Sequence, residues 1–142
     1  MSLITHDITC ITRYGFQNLD EKLRGTGIRG RHASYLIELC REPGISQDTL
    51  AQRICISKSN VTRQLTMLEE DGFVTRTPCT ADKRILRCYP TEKARELLPR
   101  ILMVMSQWED KITGELSSSE KETISSLLAR MKTGAAALME VK

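Results

Sequence analysis

Apolar residues recur at helical spacing along most of the chain, which predicts a mainly helical protein. The first predicted helix runs from Ser2 to Arg24, with a gap in its stripe at Gly15. The second runs from about Arg31 to Glu42 and stops at Pro43-Gly44. Its predicted buried face consists of Ala33, Leu36, Ile37 and Cys40.

Two short helices follow in quick succession. Ser46 is predicted to cap a helix that ends at about Ile54, and Ser57 to cap the next one. Gly72 suits the left-handed position after the second helix. The buried seam of this second helix is predicted to be Val61, Leu65 and Leu68. Two short helices joined by a tight turn are typical of a helix-turn-helix.

A β-hairpin and two long helices are predicted to complete the chain. The strands are Phe73–Thr77 and Ile85–Tyr89, separated by a turn-rich stretch. Thr91 is predicted to cap the first long helix, and Pro99 either kinks this helix or marks a later start. The second long helix opens with the capping box S-x-x-E at Ser117. Its predicted apolar face consists of Ile124, Leu127, Leu128, Met131, Ala135 and Leu138.

The predicted fold class is mainly α with a small β-hairpin, a winged helix-turn-helix whose N- and C-terminal helices form a dimerisation lobe. Residues 31–91 are predicted to form the winged helix-turn-helix lobe, whereas residues 1–30 and 92–142 are predicted to supply the dimerisation helices. These terminal helices carry apolar faces that little else in one chain would cover. A second copy related by a two-fold axis is the simplest cover, so we expect a homodimer.

Composition excludes several classes of function. No run of apolar residues is long enough to span a membrane, and the N-terminus lacks the pattern of an export signal. The five cysteines are odd in number and irregularly spaced, which indicates free thiols in a reducing cytoplasm. Neither a metal-ligand spacing nor a catalytic motif is present, so we expect no enzyme, no metal and no cofactor.

The distribution of charge indicates a polyanionic partner, although the net charge is only +3. From Thr49 to Leu68 there are three cations and no acid, and Glu69, Glu70 and Asp71 lie at the far end of the second short helix. A recognition helix enters the major groove with its N-terminal end, where phosphates favour cations and small donors. The hairpin from Arg76 to Arg87 adds four cations against one acid, Asp82.

Three stretches resemble the MarR family of bacterial winged helix-turn-helix regulators. The most specific is TADKRILRCYPT, in which Asp82, Arg84 and Thr91 match the family's wing signature. The stretches LTMLEEDGFVTR and ELSSSEKETISSLLARM resemble the end of its recognition helix and the start of its last helix. Pro90 and Ala94 depart from the pattern, and both concern the entry into the long helix.

The resemblance implies a homodimer that binds a pseudo-palindromic operator in double-stranded DNA. It implies that Arg84 enters the minor groove and that Asp82 orients the arginines of the wing. By chemistry, Arg63 suits guanine, and Asn60 or Gln64 suits adenine. The predicted DNA contacts are Ser57, Lys58, Ser59, Asn60, Thr62, Arg63, Gln64, Lys83 and Arg84.

Regulation by a small molecule or by oxidation is the last expectation. Many members of the family are repressors that an aromatic ligand releases. Candidate ligand contacts are Tyr14, His32, Tyr35, Met103 and Trp108, for each of which packing in the core or an interface is the alternative. Cys10 and Cys79 are candidate redox residues, the latter because nearby cations would stabilise a thiolate.

We therefore expect a sequence-specific DNA-binding repressor that a small aromatic ligand or thiol oxidation relieves. The alternative is a winged-helix module that binds an acidic protein through the same basic face.

Overall fold

The computed structural model describes residues 3–140 and contains six α-helices, one 3₁₀-helix and three short strands within that range. The predicted start of the first helix, Ser2, lies outside the described residues. In chain order the elements are α1 (Ile4–Lys22), a 3₁₀-helix (Gly30–His32), α2 (Ala33–Arg41), β1 (Ile45–Ser46), α3 (Gln47–Ile54), α4 (Lys58–Glu70), β2 (Val74–Pro78), β3 (Leu86–Pro90), α5 (Glu92–Ile112) and α6 (Ser118–Glu140).

The helix starts that were predicted from capping residues are confirmed. The Oγ of Ser46 accepts from the backbone N–H of Thr49, and Ser57 caps α4 in the same way. Ser117 and Glu120 form the predicted reciprocal capping box, with donor–acceptor distances of 3.2 and 2.8 Å. Each cap satisfies N–H groups that have no partner inside their helix.

Helix α5 begins directly after Thr91, whose Oγ1 accepts from the backbone N–H of Ala94 at 3.3 Å. The same hydroxyl donates to the backbone carbonyl of Gly72 at 2.7 Å, so it also ties α5 to the end of α4. Pro99 lies inside the helix. The alternative of a later helix start is therefore wrong.

The hairpin of β2, β3 and the loop between them, residues 74–90, is called the wing here. It is part of a three-stranded antiparallel sheet in the order β1-β3-β2. Strands β2 and β3 pair from Val74–Pro90 to Pro78–Leu86, which confirms the predicted hairpin. Strand β1 was not predicted, because two residues are too few to show an alternating pattern. Ile45 of β1 lies opposite Cys88 and is buried, so this strand joins the hairpin to the helix-turn-helix.

The core lies among α2, α3, α4 and the sheet, and the end of α1 and the first half of α5 also contribute to it, for example through Leu19 and Ile101. The predicted seam of α4 is confirmed, because Val61, Leu65 and Leu68 are fully buried. The predicted face of α2 is partly wrong. Tyr35 and Leu39 are buried there, whereas Ile37 and Cys40 are only half-buried. A face of a helix that is covered on several sides is wider than a single stripe, which explains the error.

The described residues divide into two compact units, with the boundary in α5 between Ser106 and Gln107. In the first unit, α1 is exposed at Ile4 and Ile11 but buries Leu19. In the second unit, α6 has no buried residue. Its apolar side chains are 40% to 74% exposed, and they include Ile124, Leu127, Leu128, Met131 and Leu138. The predicted domain boundaries at residues 30 and 91 stay predictions.

Candidate nucleic-acid interface

The first turn of α4 presents donors and cations to solvent. Ser57 adopts an extended backbone conformation, and its Oγ accepts from the backbone N–H of Asn60 at 3.3 Å. Lys58, Ser59 and Arg63 are exposed, and the first turn contains no acid. This end of the helix therefore combines the positive pole of the helix dipole with cationic side chains, an arrangement that favours an anion.

Lys58 has an ion-pair partner that lies just before the stretch Thr49 to Leu68, in which the charges were counted. Its Nζ lies 3.3 Å from a carboxylate oxygen of Asp48 on α3, and the two side chains are 69% and 68% exposed. An exposed pair of this kind is weak, so a phosphate group could replace Asp48 at little cost. Arg53, the third cation of that count, pairs instead with Glu38 and Glu42.

Arg76 was counted among the cations of the wing, but its side chain is largely buried and forms hydrogen bonds with the helix-turn-helix. Its side chain is only 13% exposed. Its guanidinium donates to Gln47 at 3.0 Å, to Thr66 at 3.1 Å and to Glu69 at 3.1 Å. Gln47 in turn donates to the hydroxyl of Thr62 at 3.1 Å. The network connects β2 to both α3 and α4, so it fixes the base of the wing relative to the recognition helix.

The acidic end of α4 has a structural explanation as well as an electrostatic one. Glu69 accepts from the backbone N–H of Arg76 and from its guanidinium, both at 3.1 Å. These hydrogen bonds lower the pKa of Glu69, so the carboxylate stays charged. Repulsion from a polyanion at the other end is therefore not the only reason for acids here.

The tip of the wing carries one well-positioned arginine. Arg84 is 90% exposed, and Asp82 accepts from its backbone N–H at 3.0 Å and from its guanidinium at 3.1 Å. The Arg84 side chain is the main reason that the pKa of Asp82 is lowered. Lys83 is exposed beside it. The contacts of Asp82 involve Arg84 rather than the other arginines of the hairpin.

The fourth cation of the hairpin, Arg87, lies on β3 opposite Thr77, one residue pair from the loop of the hairpin. Its guanidinium donates to the backbone carbonyl of Gly44 at 3.3 Å and approaches the sulfur of Cys79 at 3.8 Å. Backbone hydrogen bonds from Asp82 and Ala81, and then the side chain of Arg87, lower the pKa of Cys79. The direction of this pKa shift matches the expectation of a stabilised thiolate, but backbone N–H groups contribute more to it than the cation on which the expectation rested.

The five candidate ligand contacts do not share one environment. His32 and Tyr35 are buried against each other, with ring centroids 5.7 Å apart in an edge-to-face arrangement. Tyr14 and Met103 are exposed on the first unit, and Trp108 is half-buried in the second. Among the five, the structure shows a contact between His32 and Tyr35.

The environment of the other candidate thiol is different. Cys10 is half-buried on α1, and its sulfur lies 3.5 Å from the Nε2 of His6, one turn earlier. No group of three or more metal-ligating side chains occurs among residues 3–140. None of the helices in this range is long and apolar enough to cross a membrane.

A hydrogen bond that sequence reasoning missed connects the core to the recognition helix. The Nε2 of His32 lies 2.7 Å from the Oε1 of Gln64, and the Nε2 of Gln64 donates to the Oδ1 of Asn60 at 3.2 Å. The spacing of Asn60 and Gln64 by one helical turn signals their contact. No sequence pattern signals the contact between His32 and Gln64, which are 32 residues apart.

A capped recognition helix followed by a two-stranded wing defines a winged helix-turn-helix protein. Residues 31–86 match the model of the MarR family. The HTH-type transcriptional regulator YybA of Bacillus subtilis (strain 168) is 30% identical over 132 residues, which cover 93% of this chain and 83% of YybA. The chain therefore belongs to the MarR family of transcriptional regulators, which confirms the predicted family and makes it a regulator rather than an enzyme.

Solved structures share the whole architecture. A MarR transcriptional regulator from Methanosarcina mazei Go1 is 27% identical, with a TM-score of 0.83, and the match covers 95% of this chain and 90% of that one. A MarR family regulator from Listeria monocytogenes, solved with 26mer DNA, has a TM-score of 0.88 at 22% identity and covers 96% and 91% of the two chains. These likenesses confirm the predicted mainly helical, winged helix-turn-helix fold, whereas the dimerisation role of the terminal helices stays a prediction.

Proposed function

We propose that the chain is a sequence-specific repressor that binds a pseudo-palindromic operator in double-stranded DNA as a homodimer. The observation that carries the proposal is the joint geometry of α4 and the wing. The N-terminal turn of α4 is exposed, capped and free of acids, and the wing presents Arg84 in a conformation that Asp82 holds. The regulator from Listeria monocytogenes was solved with DNA, which supports the same use of this fold here.

The proposed contacts divide by chemistry. Lys58 and the small hydroxyl residues Ser57, Ser59 and Thr62 would hold phosphates, which sets the register on the duplex. Arg63 would pair with guanine in the major groove, and Asn60 or Gln64 with adenine. Arg84, with Lys83 beside it, would enter the minor groove, where a narrow groove favours arginine.

The homodimer is proposed from the apolar faces that the single chain leaves in solvent. On α6 alone, Leu127, Leu128 and Met131 are each at least 40% exposed, although their spacing places them on one face. Ile4 and Ile11 of α1 are similarly exposed. A helix that is packed on one apolar stripe takes most of its stability from that packing, so a second copy is the expected cover.

Relief of repression is proposed to come from a small aromatic ligand or from thiol oxidation. The thiol route is supported by the environment of Cys79 at the start of the wing loop, since an adduct there would displace Arg87 from its contact with the sulfur. The ligand route rests on the family, and His32, Tyr35, Tyr14, Met103 and Trp108 stay candidate contacts.

Selection of bound duplexes from random DNA tests the proposal. The full chain should enrich one sequence with two related half-sites, and the enriched duplex should outcompete random DNA by roughly a thousandfold or more at physiological salt. Repeating the selection with peroxide and with simple aromatic acids would identify the signal. Equal affinity for every duplex would contradict the proposal and favour the module that binds an acidic protein.

A further inference from the structure

His32 is the one buried polar or charged residue in the described part of the chain, and it is 2% exposed. It ends the 3₁₀-helix and directly precedes α2. A buried imidazole needs a hydrogen-bond partner, because its polar atoms are otherwise desolvated without compensation. Its partner is a side chain of the recognition helix.

Three side chains form a hydrogen-bonded chain from the core to α4. The Nε2 of His32 lies 2.7 Å from the Oε1 of Gln64. The Nε2 of Gln64 donates to the Oδ1 of Asn60 at 3.2 Å. Asn60 and Gln64 are half-buried, so each has one side toward the core and one toward solvent.

The direction of this chain depends on which ring nitrogen of His32 carries the proton. An amide oxygen only accepts and an amide nitrogen only donates. With N–H on Nε2, His32 donates to Gln64, and Gln64 donates to the Oδ1 of Asn60. With N–H on Nδ1, Nε2 can only accept, so both amides would have to turn by half a rotation to keep the chain intact.

The orientation of the Asn60 amide matters for reading a base. Asparagine recognises adenine by donating to N7 and accepting from the N6 amino group, so the two ends of the amide are not interchangeable. We propose that His32 is a positioning residue that sets the orientation of the Asn60 amide through Gln64 and thereby determines base preference without touching DNA. This inference rests on the proposed function.

Two further observations support the role. Burial is the main reason that the pKa of His32 is lowered, and the positive charges of Arg31 and Arg29 lower it further, although the hydrogen bond to the Oε1 of Gln64 raises it. A neutral ring carries a single N–H, so its tautomer selects one direction of the chain. The edge-to-face contact with Tyr35, at an interplanar angle of 89°, limits rotation of the ring.

The first experiment needs no DNA. Long-range ¹H–¹⁵N spectra of the full chain should show His32 as the neutral Nε2–H tautomer. In His32→Phe, which keeps a ring against Tyr35 but removes the donor, the side-chain amide signals of Gln64 and Asn60 should both shift. An Nδ1–H tautomer in the wild-type protein would overturn the inference, whether or not any variant folds.

The second experiment repeats the duplex selection with His32→Phe, Asn60→Ala and the double variant. In His32→Phe, the ratio of affinities for the preferred and the other base pairs should fall about tenfold at the position where Asn60→Ala also reduces it. A change of this size lies within the discrimination that one amide–base contact provides. The double variant should lose no more than Asn60→Ala alone. His32→Gln, which keeps an N–H group, should recover the preference.

The matched control is His6→Phe, the same exchange at the other histidine, which is exposed on α1. It should leave base preference unchanged. An unchanged preference in His32→Phe, a uniform loss over all sequences, or additive losses in the double variant would each overturn the inference. If the wild-type protein selects no duplex at all, both the proposed function and this inference fail. If the wild-type protein selects an operator and His32→Phe selects it equally well, only the role of His32 fails.

Discussion

Helices α4 and α6 both carry an apolar stripe at helical spacing, but only α4 buries it within the chain. Val61, Leu65 and Leu68 of α4 are fully buried, whereas Leu127 and Leu128 of α6 are 47% and 40% exposed. The same pattern thus has two consequences. In α4 it stabilises the fold of one chain, and in α6 it leaves an exposed apolar face, which is the surface of the proposed dimer.

The polar sides of the two helices also differ, in where their hydrogen-bond partners lie. The polar side of α4 is organised by contacts from outside the helix, such as Gln47 to Thr62 and His32 to Gln64. In α6 the hydroxyls of Thr123 and Thr133 donate to backbone carbonyls one turn earlier in the same helix. Thr62 and Thr66 of α4 make the same local bonds, so the difference lies in the additional contacts that α4 receives from other elements.

Leu65→Ala is expected to have the largest effect on the fold itself. Removing this fully buried side chain from α4 should lower the free energy of unfolding by about 2–5 kcal/mol, because it leaves a cavity in a packed core. Chemical denaturation followed by circular dichroism measures the change. Leu127→Ala on α6 is the matched exchange, and its effect should grow as the protein is diluted, since it would act on assembly.

Leu128→Glu tests the proposed dimer directly. A carboxylate at the centre of the apolar face of α6 should weaken association by about 2 kcal/mol or more, the size of a central interface residue. Sedimentation velocity over a range of concentrations measures it. Ser126→Glu places the same charge on the opposite face of α6 and should leave the assembly intact. Equal behaviour of the two variants would contradict the proposed interface.

Arg84→Ala and Arg76→Ala distinguish the roles of two of the three arginines of the hairpin. Loss of this 90% exposed side chain should weaken binding to the selected operator by roughly tenfold or more, the scale of a charge-assisted hydrogen bond, with no change in helical content. Arg76→Ala should instead destabilise the fold, because its guanidinium is held by three side chains. Fluorescence anisotropy and thermal melting distinguish them. Unchanged affinity in Arg84→Ala would remove its role in the minor groove.

Arg63→Ala should cost roughly 1–3 kcal/mol of operator binding and relax the preference at one base pair, if the side chain reads guanine. Competition with operators that differ at single positions measures this preference. Arg130, an exposed arginine of α6, is the matched control, and Arg130→Ala should change neither affinity nor preference. A loss that is uniform over all sequences would assign Arg63 to a phosphate.

Thiol reactivity should show the smallest effect. The alkylation rate of Cys79 should reach half its maximum at a lower pH than that of an ordinary cysteine. The reason is that its pKa is lowered, so the reactive thiolate forms at a lower pH. Burial raises the pKa of Cys88 to about 11, so Cys88 should stay unreactive in the folded protein. Mass spectrometry after timed alkylation measures both. Equal rates for the two thiols would contradict the proposed environment of Cys79.

The local elements of the fold were predictable because their signals are local. Ser46, Ser57 and the Ser117–Glu120 box mark helix starts through bonds to residues three positions away, and the structure contains each of them. The left-handed backbone of Gly72, with φ of 82°, likewise follows from its place after a helix. Strand β1 escaped prediction because its pairing with β3 depends on residues about forty positions later.

The sequence by itself determined the winged helix-turn-helix, the cation-rich start of α4 and the family, since each follows from spacing along the chain. Only the tertiary structure decided which charges are available. Of the hairpin's cations it assigns Arg76 and Arg87 to internal contacts and leaves Lys83 and Arg84 in solvent. It also joined His32 to Gln64. Such contacts join residues that are distant along the chain, and only folding brings those residues within hydrogen-bond distance.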